Sequence, residues 1–171
     1  VIVGPEKPLV NGIVDYLESN NIKVFGPRKV SSQLEGSKTF TKNICKNYNI
    51  PTAKFGIFKK KENTIDFLKN SKFPIVIKAD GLAAGKGVFL PNSEEELITI
   101  LDDIMNKHKL GNSGKSILIE DRIYGKEVSV FCFTDGVNFS KPIAICDYKR
   151  VQDNDMGPNT GGMGCYTPPE F

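Results

Sequence analysis

The chain gathers its potentially reactive side chains into three short segments. The densest runs Ile75-Val76-Ile77-Lys78-Ala79-Asp80-Gly81-Leu82-Ala83-Ala84-Gly85-Lys86-Gly87-Val88. A buried β run ends on a lysine, turns through three glycines past a second lysine, and returns to β-type residues. Glycine lets backbone N–H groups converge where side chains would clash, so such a turn can bend over an anion bracketed by Lys78 and Lys86. A Walker A loop is excluded. Three residues rather than four separate Gly81 from Gly85, Gly87 stands where a hydroxyl is needed, and Val88-Phe89-Leu90 reads as strand, not helix. The plain alternative is a glycine-rich surface hairpin, which would leave Lys78 at the end of a buried run without a partner.

The second segment is Ile117-Leu118-Ile119-Glu120-Asp121-Arg122-Ile123-Tyr124-Gly125-Lys126-Glu127-Val128-Ser129. A strand that stops at consecutive carboxylates and resumes after a glycine leaves backbone groups free to bind the edge of a planar heterocycle, with Glu120 and Glu127 within reach of donors on the same ligand. An exposed polar turn is the competing reading. The third segment, Asp147-Tyr148-Lys149-Arg150-Val151 with Asp153, Asp155 and Gly157-Pro158-Asn159-Thr160-Gly161-Gly162-Met163-Gly164, sets basic and acidic side chains beside a glycine cluster. It suits a small zwitterionic or phosphorylated substrate, with Arg150 able to grip a carboxylate or phosphate by two prongs. A solvated loop whose charges cancel is the alternative.

Composition narrows the chemistry further. The 171 residues are 39% hydrophobic and 25% charged with a net charge of +3, which predicts a folded globular chain and gives no ground for a nucleic-acid partner. No apolar run approaches the ~20 residues of a membrane span, and the first residues lack a signal-peptide pattern. Cys45, Cys132, Cys146 and Cys165 form no CxxC pair and His108 is the single histidine, which argues against a zinc site, a histidine relay and a disulfide framework. Lys, Arg, carboxylates and backbone are left to act.

The elements that position these residues follow from spacing. Val1-Ile2-Val3, the helical recurrence of Leu9, Val10, Ile13, Val14 and Leu17, and Lys23-Val24-Phe25 form a β-α-β unit over residues 1–27, with parallel strands. Two strands do not make a stable sheet, so this unit reads as the tail of an α/β domain, and the chain reads as cut at both ends. Phe40, Ile44 and Tyr48 give a helix over 37–48, stopped by Pro51. Strands follow at 53–58, 74–79 and 88–90, and a short helix at 64–69 turns Ile65 and Leu68 inward. Lys59-Lys60-Lys61 reads as a solvated turn. Ser93 with Glu96 is a capping box before a helix whose apolar face is Leu97, Ile100, Leu101, Ile104 and Met105. A strand at 117–120 and a hairpin of 127–134 with 137–144 around Asp135-Gly136 come next, and 147–169 reads as irregular.

Taken in order, these segments resemble the glycinamide ribonucleotide synthetase (phosphoribosylamine–glycine ligase) family of the ATP-grasp superfamily. Val3-Gly4-Pro5-Glu6 with Pro8-Leu9, Leu34-Glu35-Gly36-Ser37-Lys38, Ile50-Pro51-Thr52-Ala53, the Ile77–Val88 loop, and Lys149-Arg150 through Gly164 carry the resemblance. The lysine-and-glycine loop is shared across the superfamily. GPExPL, KADGLAAGKGV and GPNTGGMG together are specific to this family.

The resemblance implies an α/β (α+β) fold of ATP-grasp type. Residues 1–34 would be the end of a Rossmann-like N-terminal domain, 35–50 a linker helix, 51–121 the small ATP-grasp lobe and 122–171 the start of the large lobe. It implies ATP-dependent joining of glycine to 5-phosphoribosylamine in purine synthesis, through a glycyl phosphate, with no protein nucleophile. Lys38, Lys78, Asp80, Gly81, Gly85, Lys86, Gly87, Glu120, Asp121, Ile123 and Glu127 would bind ATP, the lysines at its phosphates and Glu127 at its ribose hydroxyls. Glu6, Lys149, Arg150, Asp153, Asn159, Thr160 and Gly161 would lie on the substrate side, with Lys78 and Arg150 catalytic. The hinge departs from the family's usual Glu-Glu-Phe-Leu and reads Glu-Asp-Arg-Ile; adenine is read there mainly by backbone. The Mg²⁺ or Mn²⁺ ligands are expected beyond residue 171, so these residues alone are expected not to turn over. A monomeric cytoplasmic enzyme with small-molecule substrates, no nucleic acid and no membrane follows from the same resemblance. Another ATP-grasp carboxylate–amine ligase and a non-catalytic nucleotide-binding module are the alternatives.

Overall fold

Alternating side chains along Ile75–Ala79 (β2) and Ile117–Asp121 (β4) give one antiparallel sheet two different faces. In this computed structural model, which describes residues 1–69, 74–83, 87–154 and 156–170, the sheet has the order β1-β4-β2-β3, with Phe55–Phe58 as β1 and Val88–Phe89 as β3. On one face Ile75, Ile77, Ile117 and Ile119 pack with Leu97, Leu101 and Ile104 into the main core. Each such side chain, fully buried, contributes about 1.5–3 kcal/mol. The other face carries Val76 and Lys78 of β2, and Leu118 and Glu120 of β4, since Val76 pairs with Glu120 and Lys78 with Leu118.

Two helices cover the core face. Glu94–Leu101 (α6) starts where the sequence predicts: Ser93 Oγ accepts the Glu96 N–H at 3.2 Å, while Glu96 Oε2 accepts the Asn92 N–H at 2.8 Å. It runs on into a π-helical turn, Asp102–Asn106. Lys61–Lys69 (α5) begins three residues earlier than expected, and Phe67 and Leu68 pack on the core while Ile65 is exposed. Lys61 is drawn from the expected solvated turn to Asp102, 3.3 Å away.

The N-terminal stretch matches its expectation in part. Ile2 and Phe25 form a parallel bridge, with Phe25 N–H on Val1 O at 2.8 Å and Val3 N–H on Phe25 O at 3.2 Å. The helix between them is broken in two, Glu6–Asn11 (α1) and Ile13–Ser19 (α2), because Gly12 takes φ 94°, a left-handed turn open to glycine. Lys29–Gly36 (α3) was not expected; its only apolar side chains, Val30 and Leu34, are exposed and leave no helical stripe to read. Lys38–Asn47 (α4) has Ser37 as its N-cap, whose Oγ accepts the Phe40 N–H. Tyr48 falls past its end and is exposed.

Val1–Ile123 is one compact unit, and Tyr124–Phe171 is a second. Ser129–Phe131 (β5), Ile143–Gln152 (β6) and Met156–Tyr166 (β7) make an antiparallel sheet in that order. The Asp135-Gly136 turn exists, but it closes a four-residue loop between the bridged Thr134 and Phe139. Asp135 Oδ1 accepts the N–H groups of Val137 and Asn138, which holds its carboxyl down at a pKa of about 2. The expectation that 147–169 is irregular is wrong. The run through Tyr166 is a β-hairpin, because strand pairing is made by backbone and tolerates the side-chain-poor Gly157–Gly164 run. Its ladder shifts register at Tyr148/Arg150 and Arg150/Gln152, and Gly157 at φ 81° takes a backbone conformation that side chains disfavour.

Candidate functional site

The end of β2 and the start of α4 are tied together by one carboxylate. Asp80 Oδ1 accepts the Thr39 N–H at 2.7 Å and the Ser37 hydroxyl at 3.0 Å, and the Asp80 carbonyl accepts the Lys38 N–H at 3.2 Å. This lock directs the Lys38 side chain onto the base of the glycine turn, where its Nζ donates to Ala79 O at 2.9 Å and Gly81 O at 3.2 Å. Burial, the largest influence, lowers the Lys38 pKa; Asp80 and Glu35 oppose it and Lys78 adds to it. Two ammonium groups therefore feel one another beside the glycine turn, an arrangement that attracts polyanions.

Glu120 lies on the same sheet face and is buried. Its carboxylate is shared between Lys78, paired to Oε1, and Lys42, whose Nζ lies 2.6 Å from Oε2. Lys42 also donates to Thr52 Oγ1 at 2.5 Å and sits 5.4 Å from the centre of the Phe55 ring. Burial pushes the Glu120 pKa up, but the hydrogen bonds and charges of Lys42 and Lys78 outweigh it, so the carboxyl is held below its ordinary value. Sequence reasoning missed Lys42. Its position one turn after Lys38 on α4 is the signal that could have found it.

Of the other expected residues, Gly87 lies at the return of the turn, where its N-terminal partner strand receives its carbonyl: Ala79 N–H donates to Gly87 O at 2.8 Å. Gly85 and Lys86 lie outside the described residues. Past Glu120, Asp121 and Ile123 are exposed; the Asp121 N–H donates to Lys54 O at 3.0 Å and the Arg122 N–H to Pro74 O at 3.1 Å. Glu6, Lys7, Glu35, Lys38, Gly87 and Ser113 are among the residues lining a cleft of about 1040 Å³ in the first unit, which brings Glu6 to the same cavity as Lys38. That volume is at the upper end for small-ligand sites, ~300–1,000 Å³.

In the second unit a cleft of about 830 Å³ is lined by Glu127, Lys149, Arg150, Asp153, Tyr148 and Tyr166, among others. Glu127 and Lys149 are ion-paired, and this hydrogen bond raises the Lys149 pKa against its partial burial. Arg150 donates to Gly157 O at 2.6 Å, and Thr160 Oγ1 donates to Lys149 O at 2.9 Å. Asn159 is the strand partner of Arg150, and Gly161 is exposed on β7. Among the described residues no three His, Cys, Asp or Glu side chains are grouped to hold a metal ion.

Comparison with known proteins gives the family. Residues 1–35 match the N domain of phosphoribosylglycinamide synthetase, and residues 36–171 match its ATP-grasp (A) domain. The chain belongs to the phosphoribosylglycinamide synthetase family. A phosphoribosylamine–glycine ligase of Caldanaerobacter subterraneus is 48% identical over 98% of the chain and 40% of its own length. The crystal structure of the phosphoribosylamine–glycine ligase of Thermotoga maritima superposes with a TM-score of 0.80 at 40% identity, covering 86% of this chain and 38% of that one. A biotin carboxylase domain from Hydrogenobacter thermophilus, solved with MgADP, ADP and bicarbonate, gives a TM-score of 0.60 at 25% identity over 71% of this chain and 28% of that one. The ATP-grasp fold that the resemblance implies is thus borne out, with a match to the synthetase N domain ahead of it. The chain spans about 40% of the length of the bacterial relative.

Proposed function

We propose that this chain serves a phosphoribosylamine–glycine ligase, which joins glycine to 5-phosphoribosylamine as ATP is cleaved to ADP and phosphate. The observation that carries this reading is the convergence of Lys38 and Lys78 at the base of the β2–β3 glycine turn, held there by Asp80 and Glu120. A carboxylate oxygen of glycine attacks the γ-phosphorus, the bond to the ADP oxygen breaks, and glycyl phosphate forms. The ribosylamine nitrogen then attacks the glycyl carbonyl, phosphate leaves, and the nitrogen loses a proton. Neither step needs a protein nucleophile; both are served by fixed cations and by positioning, of which orientation of the reactants alone can contribute ~7–11 kcal/mol.

Lys38 and Lys78 fit the ATP phosphates, and Asp80, Gly81, Gly85, Lys86 and Gly87 are assigned to the nucleotide with them. Glu120, Asp121 and Ile123 fit the adenine edge, and Glu127 the ribose hydroxyls. Glu6, Lys149, Arg150, Asp153, Asn159, Thr160 and Gly161 fit a phosphorylated amine and an amino acid, with Lys78 and Arg150 taken as the catalytic residues. The same reading divides the chain into the end of an N-terminal α/β domain (1–34), a linker helix (35–50), a small lobe (51–121) and the start of a large lobe (122–171). Mg²⁺ or Mn²⁺ would be held by the nucleotide phosphates and by ligands beyond residue 171. Among the described residues no helix is long and apolar enough to cross a membrane. The reading takes the enzyme as a cytoplasmic monomer without nucleic-acid or membrane partners.

The test is ADP release by the full-length ligase with each substrate withheld in turn. Release that requires both glycine and phosphoribosylamine supports the reading. Cleavage with another carboxylate and amine points to a different ATP-grasp ligase, and ATP binding without cleavage to a nucleotide-binding module.

A further inference from the structure

Glu120 is buried and bound by two cations of unequal exposure. The Lys42 side chain is 13% exposed and that of Lys78 29%. Lys42 is fixed by three further features: its stem on α4, the Thr52 hydroxyl and the Phe55 ring. Lys78 stands two residues before the glycine turn begins and pairs across the sheet with Val88 on its far side. One lysine is thus built in, and the other faces the turn.

We propose that Lys42 is a positioning residue, the resident counter-ion of Glu120, which lets the Lys78 ammonium exchange from that carboxylate to a phosphate oxygen of the nucleotide. The inference rests on the ligase reading for the identity of the phosphate and on the geometry for the exchange. A buried carboxylate that loses its sole cation is heavily penalised, so a single Lys78–Glu120 pair would resist the ligand. With Lys42 in place Glu120 keeps one partner throughout, and Lys78 is free to leave. Lys42 touches neither ligand nor reacting atoms in this scheme; it acts through Glu120.

Nucleotide affinity of the full chain separates this role from a merely structural one. Lys42→Met should weaken the ATP Kd at least about tenfold, and Lys42→Arg, which keeps the charge, should stay within about threefold of the parent. Lys42→Met combined with Glu120→Gln should bind within about threefold of Glu120→Gln alone, since a neutral amide no longer retains Lys78. Parent-like binding by Lys42→Met overturns the proposal. So does a double variant in which the two losses simply add.

A second measurement needs no nucleotide. Acetylation of Lys78 by acetic anhydride, followed by mass spectrometry, should slow several-fold in Lys42→Met, because Glu120 then turns wholly to Lys78. An unchanged rate overturns the exchange whatever the protein binds. Failure of the parent to bind ATP would refute the ligase reading and leave this acetylation rate to decide the role of Lys42. Lys42→Gln gives the same two readouts if the methionine variant does not fold.

Discussion

The Thr39 N–H, in the first turn of α4, donates to Asp80 Oδ1 at 2.7 Å, so a helix start and a strand end separated by 41 positions share one carboxylate. Asp80→Ala would leave that N–H and the Ser37 hydroxyl without their acceptor in a half-buried setting. The expected cost is about 1–3 kcal/mol, read as a lower urea midpoint at unchanged m value, with weaker ATP binding as Lys38 loses its anchor. Asp80→Asn keeps one carbonyl acceptor and should fall between the two. Equal midpoints for all three proteins would remove Asp80 from this role.

Glu120 gives the fold a defined acid sensitivity. Its folded-state pKa lies below the ordinary value of 4.5, so its ion pairs stabilise the fold fully above that value and are lost as pH falls through the depressed one. Glu120→Gln should therefore unfold more readily at pH 7, where two lysines keep no carboxylate. It should also show a flatter loss of stability than the parent below pH 4.5. Parallel stability–pH curves from urea titrations would contradict the assignment.

Gly87 closes the turn under steric constraint. A Cβ there would stand 2.7 Å from the Ala83 Cβ and 3.3 Å from the Ala79 Cβ, both fixed by backbone. Gly87→Ala should destabilise the chain by about 1–3 kcal/mol and weaken ATP binding, because the two sides of the turn must part. Thermal unfolding together with an ATP titration checks both halves of the expectation.

Leu101 is fully buried where α6 passes into the π-helical turn, against Ile75, Ile77 and Ile119. Leu101→Ala should cost about 2–5 kcal/mol by guanidinium unfolding and leave substrate dependence unaltered. A change in which substrates are needed for ADP release would show that core and site are not separate.

How far the sequence could be read depended on which physical signal each element leaves. Ser93, Glu96 and the Leu97–Met105 stripe announce α6 because capping and burial are written in side chains. The β7 run, Met156–Tyr166, announces nothing, since its glycines pair through backbone that every residue possesses. Helix α3 has no apolar stripe, and α5 turns Phe67 inward in place of Ile65 because the choice of face was made by tertiary packing. Lys78 and the glycines stood out as a candidate anion site from residue types alone. Lys42 was not: its place one turn after Lys38 marks a shared helix face, but nothing on α4 marks the distant Glu120 that it meets.

The register that sets Glu120 opposite Val76, and Ile119 opposite Ile77, has a consequence for errors of assembly. A slip of β4 by one residue would push Glu120 into the hydrocarbon side of the sheet and offer Ile119 to two ammonium groups. Both halves of that exchange are unfavourable at once. The strand that carries the site thereby proofreads its own alignment, and a copy threaded wrongly loses its core and its charge pairing together.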